Sequence, residues 1–200
     1  MKLKNLEMRL QNVKGFPAPR PELEQYITPA PLAARFLFDA FMHNDIEGLS
    51  VADLGCGTGM LSIGAALLGA EVAGIDTSAA ALAVGEKNAA AAGVSIAFQQ
   101  GTISPATVAA DSFDTVVMNP PFGAQVEHAD RPFIEAALSA APVVWGIFNK
   151  GSIPFIKAYT KEKAAVTDMV SAQLSIPRQF AFHTKDVLEI PVEILRLERL

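Results

Sequence analysis

The chain has 200 residues, half of them hydrophobic and 18% charged, with a net charge of −5. That length predicts one domain whose core needs neither disulfide nor metal. The single Cys56 excludes an internal disulfide and a zinc ribbon, the low charge excludes a disordered chain, and the acidic balance, as one number, argues against a nucleic-acid binder.

Leu3, Leu6, Leu10 and Val13 recur at spacings of three and four, which predicts an amphipathic helix that Gly15 stops. Phe16 to Pro21 holds three prolines and reads as extended. Thr28 before Pro29 reads as an N-cap, opening a helix to about Asn44. From Leu49 the pattern alternates. Strands are expected at 49–54, 71–75, 94–99, 113–118 and 143–148, and helices at 58–68, 78–92, 131–140 and 152–163. The last two segments, 165–175 and 187–197, read as strands with no helix between them. This order predicts an α/β fold: a Rossmann-like seven-stranded, mostly parallel sheet with helices on both faces and an antiparallel C-terminal strand pair. The 200 residues read as one domain, with 1–48 a helical extension and 49–200 the core. The longest stretch that could suggest a membrane span, Leu54 to Ala70, is uncharged but contains five glycines and falls short of the length required. The charged N-terminus lacks a signal-peptide core, so a cytoplasmic protein is expected.

Asp53-Leu54-Gly55-Cys56-Gly57-Thr58-Gly59 follows the first strand and opens a helix. Alternate glycines let a ligand approach the backbone closely. A dinucleotide fingerprint would need a third glycine at position 60, which is Met60, and the Gly-Lys-Ser/Thr of a P-loop is absent. Neither pyrophosphate nor triphosphate is favoured. Asp76 ends the second strand, where an acid can accept both hydroxyls of a ribose or cap the next helix. A nucleoside without phosphate beside an acidic loop points to S-adenosylmethionine, with Asp53 facing its positive amino-acid end.

The fourth strand runs into Asn119-Pro120-Pro121-Phe122. Two prolines remove two N–H donors and stiffen the backbone. The Asn119 side-chain oxygen and the Pro120 carbonyl remain as acceptors, and Phe122 adds a flat face. An amino group on a conjugated ring is a poor nucleophile. Two acceptors on its hydrogens let the nitrogen pyramidalise and attack a methyl in line, by positioning and electrostatics. No metal ligand set is expected.

These segments resemble the amino-group methyltransferases of the seven-strand class, in which Asn-Pro-Pro-Phe/Tyr follows strand four. The resemblance is closer to the methyltransferase-like family that modifies a single adenine N6 of small-subunit ribosomal RNA. It covers almost the whole chain and rests on Leu6 to Gln11, Leu23 to Tyr26, Ala52 to Gly57, Leu61 to Gly64 and Phe113 to Gly123. The resemblance implies that Gln25, Thr28, Gly55 with its loop (Gly57, Thr58, Met60) and Asp76 contact the cofactor, and that Asn119 to Phe122 hold a flipped base. The family's acid after strand three is replaced by Gln100-Gly101-Thr102, so Gly101 and Thr102 stand where the cofactor's adenine is expected. A family His-Lys pair after strand five is Asn149-Lys150 here.

Charge is uneven. Residues 1–35 carry +3, 36–130 carry −10 and 131–200 carry +2. Lys2, Lys4, Arg9, Lys14 and Arg20, with Lys150, Lys157, Lys161, Lys163, Arg178 and Lys185, form a candidate track for the phosphates of structured RNA. His183 is a candidate for stacking on a base. The uncharged edge strand Val94 to Gln99 invites pairing with another chain, and the resemblance implies a small zinc-binding activator protein. A protein glutamine-N5 methyltransferase and a catalytically idle RNA-binding assembly factor stand as alternatives.

Overall fold

Two helices precede the first strand, α1 (Leu3–Leu10) and α2 (Ala30–Met42). Strands and helices then alternate as β1 (Ser50–Leu54), α3 (Met60–Leu67), β2 (Glu71–Asp76), α4 (Ala79–Ala92), β3 (Ala97–Gln100), β4 (Thr115–Met118), α5 (Arg131–Ala140), β5 (Val143–Asn149) and α6 (Ile153–Thr160). The chain closes with two long strands, β6 (Ala164–Pro177) and β7 (Val187–Arg199). The computed structural model describes residues 1–20, 24–122, 128–177 and 187–200. Pro21, Leu23, Gly123, Arg178, Lys185 and the Phe180 to His183 segment lie outside the described residues.

The seven strands form one sheet in the order β3-β2-β1-β4-β5-β7-β6. The first five are parallel, and β7 pairs antiparallel with both β5 and β6. This is the Rossmann-like sheet with an antiparallel C-terminal pair. The order reverses between β2 and β4, both neighbours of β1, and such a switch point opens a crevice at the strands' carboxyl ends. Leu54 lies opposite Met118 in the β1–β4 register. The glycine loop and the proline tetrapeptide therefore leave the sheet side by side.

Side chains alternate between two apolar clusters. Val51, Val117, Trp145 and Ile194 join Leu6, Leu10, Phe36, Leu37 and Ile63 under α1, α2 and α3. Ala52, Val116, Val144 and Leu195 join Ile134, Leu138 and Ile156 under α5 and α6. All four residues of β4 are buried, as a central parallel strand requires. In the first cluster the Trp145 indole and the Arg196 guanidinium both donate to Asp45 Oδ2 at 2.8 Å, tying the end of α2 to β5 and β7.

Three of the boundaries that differ from the expectation trace to specific hydrogen bonds. α1 stops at Leu10 rather than at Gly15, and the Lys14 N–H and carbonyl bond to the side chain of Asn88 instead. The N-cap of α2 is Pro29, with Pro31 in the first turn, and Thr28 makes no cap; its hydroxyl accepts from Asn119. β3 begins at Ala97 rather than Val94, because Gly93 in a left-handed conformation ends α4 and the Val94 N–H returns to Ala89.

Candidate active site

The glycine loop folds back on β2. The Gly55 and Cys56 N–H groups donate to the Ile75 carbonyl at 2.8 and 3.1 Å, and the Gly57 N–H donates to Asp76 Oδ2 at 2.8 Å. Gly55 and Gly57 have φ of +74° and +52°, a region other residues enter at a cost. A Cβ on Gly55 would lie 2.9 Å from the Phe133 ring, and one on Gly57 would lie 2.8 Å from the Phe16 ring. Conformation and contact both demand glycine at these two positions.

Asp76 serves loop and helix together. Its second oxygen accepts from the Ser78 N–H at 2.8 Å, while Ser78 itself caps α4. Each carboxylate oxygen keeps another acceptor direction. Asp53 is 1% exposed. Its Oδ2 accepts from the Ser62 N–H at 2.8 Å and the Ser62 hydroxyl at 2.5 Å. Burial pushes the Asp53 carboxyl up to about 7, the Ser62 hydrogen bonds oppose this, and nearby Asp76 adds to it. Burial also pushes the Cys56 thiol far above its usual range, which leaves it unreactive.

These groups border a cavity of about 370 Å³, a size that suits a small ligand. The segment Glu24 to Thr28, Thr102 and Ile103, and the start of α5 (Pro132, Phe133) form its other walls. Its described lining holds three acids, Glu24, Asp53 and Asp76, and no Lys, Arg or His. A pyrophosphate would be repelled there, and a cationic nucleoside would not.

Asn119 stands at the end of β4. Its Nδ2 donates to Thr28 Oγ1 at 3.0 Å, and its Oδ1 is buried with no hydrogen-bond partner. A buried acceptor without a donor is costly. In a cavity wall it marks where a ligand donor belongs.

Gln25, Thr28, Asp53, Gly55, Gly57, Thr58, Met60, Asp76, Thr102, Asn119 and Pro121 all line this one cavity. Three of the expected residues do not. Gly101 continues the sheet, its N–H donating to the Asp76 carbonyl at 3.0 Å. Pro120 is buried and lies outside the cavity lining. Phe122 packs its ring against Tyr26 at 6.0 Å, and its N–H donates to Glu24 Oε2 at 2.6 Å. Phe16, Ile103, Pro132 and Phe133 line the cavity without having been expected there. Nothing in their local sequence separates them from ordinary loop or helix residues. Among the described residues no group of three or more His, Cys, Asp or Glu could hold a metal ion, and no helix is long and apolar enough to cross a membrane.

Residues 31–144 match the Methyltransferase small domain family. The rRNA N(6)-adenosine-methyltransferase METTL5 of Danio rerio is 35% identical over 98% of this chain and 98% of its own length. Mettl5 of Drosophila melanogaster, described by the same activity, is 35% identical over 99% and 97%. A crystal structure of PH1948, a candidate RNA methyltransferase of Pyrococcus horikoshii, superposes with a TM-score of 0.91 at 39% identity, covering 100% of this chain and 98% of that one. With an acid-lined cavity at the sheet's switch point and relatives matched over nearly their whole length, the chain belongs to the methyltransferase small-domain family, alongside the METTL5 rRNA N(6)-adenosine-methyltransferases.

Proposed function

We propose that this chain transfers a methyl group from S-adenosylmethionine to the N6 of an adenine in structured RNA, namely small-subunit ribosomal RNA. The observation that carries the reading is the Asn119 amide, with its nitrogen held by Thr28 and its buried oxygen unpartnered at the cavity wall. The relatives named as rRNA N(6)-adenosine-methyltransferases supply the substrate class.

The residues present fit the cofactor. Asp76 has acceptor directions left for ribose hydroxyls, Asp53 offers a carboxylate to an ammonium, and Thr102, Ile103 and Met60 give the base a largely apolar wall. Bound there, the cofactor supplies an electrophilic methyl on a cationic sulfur. We assign Asn119 Oδ1 and the Pro120 carbonyl as acceptors for the two hydrogens of the adenine amino group, which frees the nitrogen lone pair for attack and gives the displaced proton a path out. An adenine must leave its helix, or lie unpaired, to reach these groups. Phe122, assigned to stack on it, starts from its tilted pairing with Tyr26.

On this reading the 200 residues work as one methyltransferase domain in the cytoplasm. The uncharged edge strand β3 is the place where a small zinc-binding activator protein would add a strand. Asn119→Ala should lower turnover by about 100-fold or more while cofactor binding, measured by calorimetry, stays within a few-fold. Asp76→Ala should weaken cofactor binding instead. The assay uses a labelled methyl donor with total RNA and total protein from cells lacking the modification. Label in adenine of small-subunit RNA supports the reading. Label in protein glutamine overturns it, as does a near-normal rate for Asn119→Ala.

A further inference from the structure

Two hydrogen bonds join the segment before α2 to the tetrapeptide after β4. Thr28 Oγ1 accepts from Asn119 Nδ2 at 3.0 Å, and Glu24 Oε2 accepts from the Phe122 N–H at 2.6 Å. Between them in sequence, the Tyr26 ring packs on Phe122. The Asn119 contact spans 91 residues of chain and lies at a threonine only 6% exposed. The N-terminal segment therefore grips the catalytic loop at its first and last residues.

A carboxamide has two ends of nearly equal shape and opposite polarity. Half a turn of the Asn119 amide would place two donors where the cavity now has an acceptor. An amino group meeting donors is repelled, and its nitrogen lone pair is not released. Shape cannot select between the two orientations, so hydrogen bonds at both ends must, and the amino group of a substrate demands the oxygen end. Thr28 takes the nitrogen end, its Oγ1 accepting from Nδ2 at 3.0 Å. We infer that Thr28 is a positioning residue for methyl transfer: by accepting from Asn119 Nδ2 it anchors the amide at the cavity wall and leaves Oδ1 to receive an amino group. The inference rests on the methyl-transfer reading above and assigns Thr28 a task separate from cofactor contact.

The test compares Thr28→Val, which keeps the shape and removes the hydroxyl, with Thr28→Ser, which keeps the hydroxyl. In the full chain, Thr28→Val should lower kcat at least tenfold with the KM for S-adenosylmethionine within about twofold of the parent. Thr28→Ser should recover most of the rate. Independently of activity, the Asn119 side-chain amide is followed by 15N NMR, its signal identified by its loss in Asn119→Asp. One of its two protons should exchange slowly in the parent and in Thr28→Ser, and quickly in Thr28→Val. A Thr28→Val enzyme with parental kcat, with unchanged amide exchange, or with its loss confined to cofactor KM overturns the inference. Label appearing in protein rather than RNA defeats the RNA reading alone, because an amide nitrogen offers the same hydrogens and the Thr28 comparison is then made on that acceptor.

Discussion

Asp53 carries an electrostatic cost that protonation or a cationic ligand relieves. It lies 1% exposed at the end of β1 with Ser62 as its hydrogen-bond donor, and its carboxyl is raised to about 7, chiefly by burial. An unfolded chain ionises the same group near its ordinary value of about 4. The stabilising effect of the raised value is therefore complete below about pH 4 and is lost as pH rises through 7. Three pH units correspond to roughly 4 kcal/mol, to order of magnitude. A cationic ligand beside Asp53 favours the ionised form, so binding it below pH 7 releases a proton. The dissociation constant for S-adenosylmethionine should accordingly fall between about pH 5 and pH 7, by up to about tenfold per unit. Calorimetry in two buffers of different ionisation enthalpy should register a proton released at pH 6. Asp53→Asn should remove both the pH dependence and the proton. A dissociation constant that is flat over that range would show that Asp53 does not face the cation.

Elements meet in this fold through glycine as much as through large side chains. A Cβ on Gly64 of α3 would lie 2.3 Å from Leu37 Cδ1 and 3.4 Å from Leu10 Cδ1, so α1 and α2 both rest on that bare position. Gly64→Ala should destabilise by about 1–3 kcal/mol, seen as a melting temperature lower by several degrees. An unchanged melting temperature would mean that Leu37 turns aside freely. The sheet and its two end strands were legible because uncharged runs bounded by turn residues alternate with helical periodicity. Seven strands were expected, and seven form. The glycine loop and the tetrapeptide stood out because their residue types constrain the backbone, and the fold brings both to one cavity. What escaped was tertiary. No local signal in Phe16 or Phe133 reports that each ring rests on a glycine of the cofactor loop. Thr28 read as a helix cap because Thr-Pro is a cap signal, and only the fold shows that Asn119, 91 residues away, takes its hydroxyl. The Asn88 clamp on Lys14 and on the Thr58 carbonyl was hidden likewise, within an alanine-rich helix.

At the scale of the molecule, a net charge of −5 is the sum of an acidic cofactor half and two basic flanks. β4 and β5 are parallel neighbours, so Asn119 and Lys150 leave the same end of the sheet, and Lys157 and Lys161 follow on and just after α6. All three lysines are exposed. Lys87, the only basic residue between 36 and 130, is also exposed but lies on α4, across the acidic half. If RNA phosphates follow the basic flank, charge reversal there should act through counterion release. Lys150→Glu and Lys157→Glu should each weaken binding of a short RNA stem-loop bearing an unpaired adenine, and each should reduce the slope of log affinity against log salt by about one. Lys87→Glu should leave both affinity and slope unchanged, and none of the three should alter cofactor binding. With about four phosphate contacts, affinity should fall roughly a hundredfold between 50 and 200 mM salt. The measurement is a filter-binding titration across that range. Equal effects from Lys87 and Lys150 would mean that RNA senses only the total charge of the molecule, and the path across the ends of β4 and β5 would have to be abandoned.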